Sequence, residues 1–250
     1  MKASLKSEFR KFLSVRSTYF ITGFVLIFVL FIAFYVIGWR MNNLDLHNTG
    51  QLASDVTGAL NLTVFGAIAA VLLVTHEYRY NTIVYTLTNS NSRTKVLLSK
   101  FIVISVYAVF LSLLIGVLSP IVVELGVHAN GHTLVPQILN YWNLAWRSVF
   151  YGWGYGMAGL ILALLTRNQV ASIAALFVIP DLAEKLLGLL LKHNTVYLPF
   201  SALNQVIRSG ASNMPTSSNL SPLKAAGVFC IYLVVGLTVS WLLFIKRDAT

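Results

Sequence analysis

Residues 18–39 read TYFITGFVLIFVLFIAFYVIGW, twenty-two positions without a charged side chain. About 20 apolar residues in a helix cross a hydrocarbon layer about 30 Å thick, so this run predicts a membrane-spanning helix. It is too long for the core of a signal peptide, and no small-residue cleavage site follows it, so it is expected to remain as a span. Working outward, comparable runs at Val56 to Thr75, Phe101 to Leu125, Asn143 to Leu165, Gln169 to Leu191 and Ala225 to Ile245 predict six spans in all. The expected class is an all-α polytopic membrane protein. Composition agrees: 57% of the chain is hydrophobic and 10% charged, against about a quarter charged in soluble domains, which argues against an ordinary water-soluble enzyme.

The net charge of +10 would suggest a nucleic-acid partner in a soluble chain. Here the basic residues sit mainly between and before the apolar runs. With the N-terminus in the cytoplasm, the inner segments hold Lys2, Lys6, Arg10, Lys11 and Arg16, then Arg79, Arg93, Lys95 and Lys100, then Arg167, then Lys246 and Arg247. The outer segments hold half as many: Arg40, Arg147, Lys185, Lys192, Arg208 and Lys224. That bias predicts both termini on the cytoplasmic side of the cell's inner or cytoplasmic membrane. Residues 1–17 place Leu5, Phe9, Phe12 and Leu13 at helical spacing with the lysines and arginines largely elsewhere, which reads as an amphipathic surface helix or as a basic topology signal without stable helix. Residues 18–250 then form the transmembrane domain.

The fifth run is interrupted by Pro180, Asp181, Leu182, Ala183, Glu184 and Lys185. Charges at that depth are tolerated where they face protein or water, so a broken or re-entrant external element is expected over residues 180–224. Asp181, Glu184 and Lys185, at i, i+3 and i+4, are candidates for the polar turn of an external gate, or for a surface ion pair at a helix end. Ser209 to Ser221 reads as an external loop.

Chemical motifs are sparse. No Gly-rich phosphate loop occurs, since the only Lys followed by Ser or Thr is Lys6, without a preceding glycine. His76 and Glu77 begin like a zinc-protease helix, but Tyr80 stands where the second His belongs. His128 and His132 flank Asn130 and Gly131 in an expected external loop. No catalytic residue, metal ligand or cofactor site is assigned, and the lone Cys230 allows no internal disulfide. Gly152 and Gly156 have the four-residue spacing that lets helices approach closely.

The stretch joining the second and third runs is the most informative: His76, Glu77, Tyr78, Arg79, Tyr80, Asn81, Thr82, Ile83, then a polar turn at Asn89 to Ser92, then Arg93 to Lys100. A short helix at the membrane face followed by a turn suits a contact with a soluble partner, or is simply a basic loop obeying charge bias. Together with the basic segment Lys2 to Arg16, its Phe-Arg-Lys and Arg-Ser dipeptides, and Arg93, Val96, Leu97 and Lys100 before the third span, it resembles a permease subunit of the type-two ABC exporters across nearly the whole chain. Asn81 stands where that family commonly has Gly, and the turn lacks a Pro.

The resemblance implies a coupling helix at Glu77, Tyr78, Arg79, Asn81, Thr82 and Ile83 docking on a separate ABC ATPase subunit. It also implies a second permease subunit, identical or related, with substrate crossing between the two. ATP and Mg would bind the ATPase, not this chain. Two other classes share the pattern: a non-catalytic membrane interaction or immunity protein, and an intramembrane enzyme, for which the acidic residues supply no paired motif inside the spans.

Overall fold

The computed structural model describes residues 2–40, 61–85, 93–132, 141–208 and 220–246. The start of the second expected span, the Asn89 to Ser92 turn and nearly all of the Ser209 to Ser221 loop lie outside the described residues. Among those described, the regular structure is helical throughout. In chain order the α-helices are α1 (Lys2–Ser14), α2 (Arg16–Phe31), α3 (Ala67–Arg79), α4 (Arg93–Ala129), α5 (Tyr141–Thr166), α6 (Gln169–Val178), α7 (Glu184–Leu191), α8 (Pro199–Arg208) and α9 (Pro222–Lys246).

Val15, in an extended conformation, separates α1 from α2. The apolar run that begins in α2 continues through a wider, π-helical stretch over Ile32–Trp39, and a 3-10 turn over Asn61–Gly66 leads into α3. Among the described residues, four helices are long and apolar enough to cross a membrane: Arg16–Trp39, Arg93–Ala129, Ala145–Thr166 and Pro222–Lys246. They coincide with the first, third, fourth and sixth expected spans. At 37 residues, α4 is about 55 Å long, well beyond the roughly 30 Å hydrocarbon layer, so it is longer than an untilted span requires.

The fifth expected span is helical throughout but changes its winding part-way. α6 passes through a π-helical turn at Ile179–Ala183 into α7. Pro180 supplies the reason: its ring removes a donor and crowds the carbonyl four residues back, and widening the turn relieves the clash. A 3-10 segment, Lys192–Tyr197, then reverses the chain into α8, whose Ala202, Leu203, Val206 and Ile207 are buried.

α5 lies at the centre. Over its most apolar window 56% is buried, against 22% for the spans containing α2 and α9. Its glycines explain the close neighbours: a Cβ on Gly152 would run into the Ser112 hydroxyl, one on Gly156 would meet Ala108, both on α4, and one on Gly159 would meet the Ala67 carbonyl of α3. Lipid tails are as apolar as Leu, so such helices associate through fitted surfaces and hydrogen bonds rather than through the hydrophobic effect. Bonds of that kind run from the Ser148 hydroxyl to the Ser112 carbonyl (2.9 Å) and between Thr22 and Tyr107 (2.8 Å). Gly38 and Gly126 make a second close crossing, each backing onto the other helix's main chain.

Candidate functional site

The end of α3 is shaped by its last residues. The Thr82 N–H donates to the Glu77 carbonyl (2.9 Å) and the Asn81 N–H to the Tyr78 carbonyl (3.3 Å), the paired bonds that close a helix when the residue after the cap turns left-handed. Asn81 is that residue, with φ 54°. After Gly, Asn adopts this conformation most readily, so Asn81 does here what Gly would do. Helical turns resume at residues 83–85, with Ile83 buried in the core and Tyr80 and Tyr85 exposed. The result is an outward rim of Arg79, Tyr80, Asn81, Thr82, Val84 and Tyr85 anchored by Ile83.

Glu77 points the other way. Lys11 of α1 reaches its Oε1 at 2.7 Å and Lys100 of α4 its Oε2 at 2.9 Å. The same two ammonium groups hold Glu8 of α1: Lys11 on Oε1 at 2.8 Å and Lys100 on Oε2 at 2.7 Å. The four side chains form a closed ring of alternating charge. Glu8 and Lys100 are 1% exposed, Glu77 8% and Lys11 37%. Burial alone would raise the Glu77 carboxyl, but the charges of Lys100 and Lys11 more than offset it and hold the group below its ordinary range. Burial likewise disfavours the Lys11 ammonium, and bonds to Glu77 and Glu8 overcome that and raise it.

Around the ring, the Ser4 and Ser99 hydroxyls pair at 3.0 Å and Phe12 packs edge-on to Tyr107, fixing α1 along α4. The Arg167 guanidinium lies over the half-buried Tyr78 ring at 5.2 Å, and burial pushes the Tyr78 hydroxyl up, with Arg167 opposing. Arg79 donates to the Gln169 side chain (3.3 Å), and Arg93 to the Ile245 carbonyl (2.8 Å). Segments expected to share one face of the membrane, near residues 8–11, 77–79, 93–100, 167–169 and 245, thus meet at one end of the bundle.

The α5–α6 turn closes there. Arg167 is left-handed, and the Asn168 side chain caps α6 by accepting from the Val170 and Ala171 N–H groups (3.0 and 3.2 Å).

The three candidate gate residues divide. Asp181 and Lys185 pair at 3.1 Å with both side chains more than 70% exposed. Glu184 is buried and turned inward, where its carboxylate accepts from the Phe200 N–H, the Ser201 N–H and the Ser201 hydroxyl, each at 2.7 Å. Pro199, the first residue of α8, has no N–H, and Leu198 before it has no side chain able to cap. Glu184 fills that role from another helix, and its charge suits the positive N-terminal end. The i, i+3, i+4 spacing spreads the three residues over about 100° of helix surface, enough to send one inward and two outward.

Sequence reasoning missed Glu8, Lys11 and Lys100 as members of a site. A signal was present: Glu8 lies three residues from Leu5 and four from Phe12, on the apolar side of α1, and Lys100 lies in line with Val96, Val103 and Ile104, all buried. A charge inside an apolar stripe calls for a partner.

Residues 4–180 match the profile of a family described as ABC-2 family transporter protein. No curated relative matches the chain.

Proposed function

The chain belongs to the ABC-2 family of transporter proteins and is a membrane permease component of an ABC transporter, not its nucleotide-binding subunit; from that premise we propose how it works. It is half of an ATP-driven exporter. Six spans place both termini in the cytoplasm, two permease subunits line the substrate path between them, and a separate ABC ATPase binds ATP and Mg. The second span runs into α3 and ends before Glu77, and the fifth is the α6–α7 element.

The coupling segment is Glu77, Tyr78, Arg79, Asn81, Thr82 and Ile83, in two roles. Arg79, Asn81 and Thr82, with Tyr80 beside them, present the docking face; Glu77, Tyr78 and Ile83 fasten it to the bundle. Closure of the ATPases would favour one arrangement of the helices, and the segment would carry that preference into the membrane. On the other side, the hairpin carrying Asp181, Glu184 and Lys185 serves as the external gate, with Glu184 holding α8 in place.

The observation that carries this reading is the rim itself, a short exposed face with an aromatic and cationic surface set on a firmly anchored helix end. Arg79→Ala with Tyr80→Ala removes its most prominent side chains while sparing the buried ring. The double variant should insert normally yet lose ATPase co-purification from native membranes by about tenfold or more, as expected when central Arg and Tyr anchors are truncated. Unchanged co-purification would reject the docking assignment.

A further inference from the structure

The charged ring has a property that its individual pairs lack. Each carboxylate gives one oxygen to each ammonium, so the four contacts together tie α1, α3 and α4 to one another. Apolar surfaces such as Phe12 against its neighbours can slide by fractions of a side chain. A closed ring of paired charges cannot do so without leaving a buried charge uncompensated. Well-packed apolar residues would hold the three helices together at least as strongly, so strength alone does not account for the charges, whereas fixed registration does.

We propose that Glu8, Lys11, Glu77 and Lys100 form a joint that makes α1, the Arg79–Tyr85 rim and the first turns of α4 move as one rigid body. Glu8, Lys11 and Lys100 are then positioning residues: they act through Glu77 and do not themselves touch the partner. Displacement of the rim is passed undiminished to α1 and to the start of α4. Lys11, the corner open to solvent, can be changed with least risk to folding. The mechanical role rests on the rim being the docking face; the rigidity of the joint does not.

The test places spin labels at Ser14→Cys and at Val84→Cys, which is exposed but outside the docking face assigned to Arg79, Tyr80, Asn81 and Thr82, in a Cys230→Ser background and reads their separation by dipolar spectroscopy in lipid nanodiscs. In the permease alone, the ring should give a narrow distance distribution, Lys11→Met should broaden it, and Lys11→Arg should restore it. In the complex with its co-purified ATPase, Mg-ATP should leave the separation unchanged when Lys11 is present and shift it in Lys11→Met. Equal widths with and without Lys11 would overturn the joint. A nucleotide-dependent shift with the ring intact would also overturn it. If no ATPase engages the rim, the docking assignment fails, and the measurement on the permease alone still decides the joint.

Discussion

Lys100 is almost fully buried between two carboxylates, and Lys11 faces partly outward between the same two. Their removal should therefore differ in cost. Lys100→Met strands buried negative charge and is expected to cost about 3–5 kcal/mol, whereas Lys11→Met, whose site water can reach, should cost about 1 kcal/mol or less. Thermal unfolding in detergent checks the order, and equal losses would contradict it. The pH dependence follows from the two shifted groups. Glu77 is held below its ordinary value, so its contribution is complete above about pH 4.3 and fades as pH falls through the lower folded value. Lys11 is raised, so its contribution is complete below about pH 10.4 and fades as pH rises through the higher folded value. The stability difference between wild type and Glu77→Gln should thus be flat from about pH 5.5 to 9. A slope within that interval, read from unfolding midpoints, would mean that the ring holds another titrating member.

Among the helices, α8 depends on a residue fifteen positions upstream of it. Its first two available N–H donors end on Glu184, so Glu184→Gln weakens the cap and Glu184→Ala removes it. The Ala change should cost about 1–3 kcal/mol and speed amide exchange at Phe200 and Ser201. Asp181→Asn, Lys185→Met and their double variant should each stay within about 1 kcal/mol and add, as exposed pairs do. Impaired single variants rescued in the double would instead indicate a buried pair. The change from α to π turns in the fifth run was legible at Pro180, because a proline inside a helical run is a local fact. The inward turn of Glu184 was not, since its partners at Phe200 and Ser201 lie across a chain reversal that no periodicity marks. Asn81 was legible by its chemistry, since it occupies a place where only Gly or a close substitute fits. Glu8 and Lys100 were easy to pass over, because charge at the border of a membrane segment ordinarily means solvent, and their place within apolar stripes was the signal that called for a partner.

At the scale of the whole molecule, long and mostly apolar sequence made the candidate spans of α2, α4, α5 and α9 readable, while the expected span that runs into α3 begins outside the described residues. The outward faces of α2 and α9 carry Phe20, Phe24, Ile27, Ile231, Val234 and Leu242, suited to lipid, and the glycine-lined contacts of α5 hold the interior. Charged joints sit at one end and the α7–α8 hairpin at the other extreme of the proposed path. The central claim is that the ring end is the one that meets an ATPase. A photo-crosslinking amino acid placed at Tyr80, exposed on the rim, and separately at Tyr197, exposed beside the hairpin, tests it in native membranes. Tyr80 should capture a protein carrying a phosphate-loop ATPase motif while Tyr197 captures none. Capture of that ATPase from Tyr197, or from neither position, would contradict it.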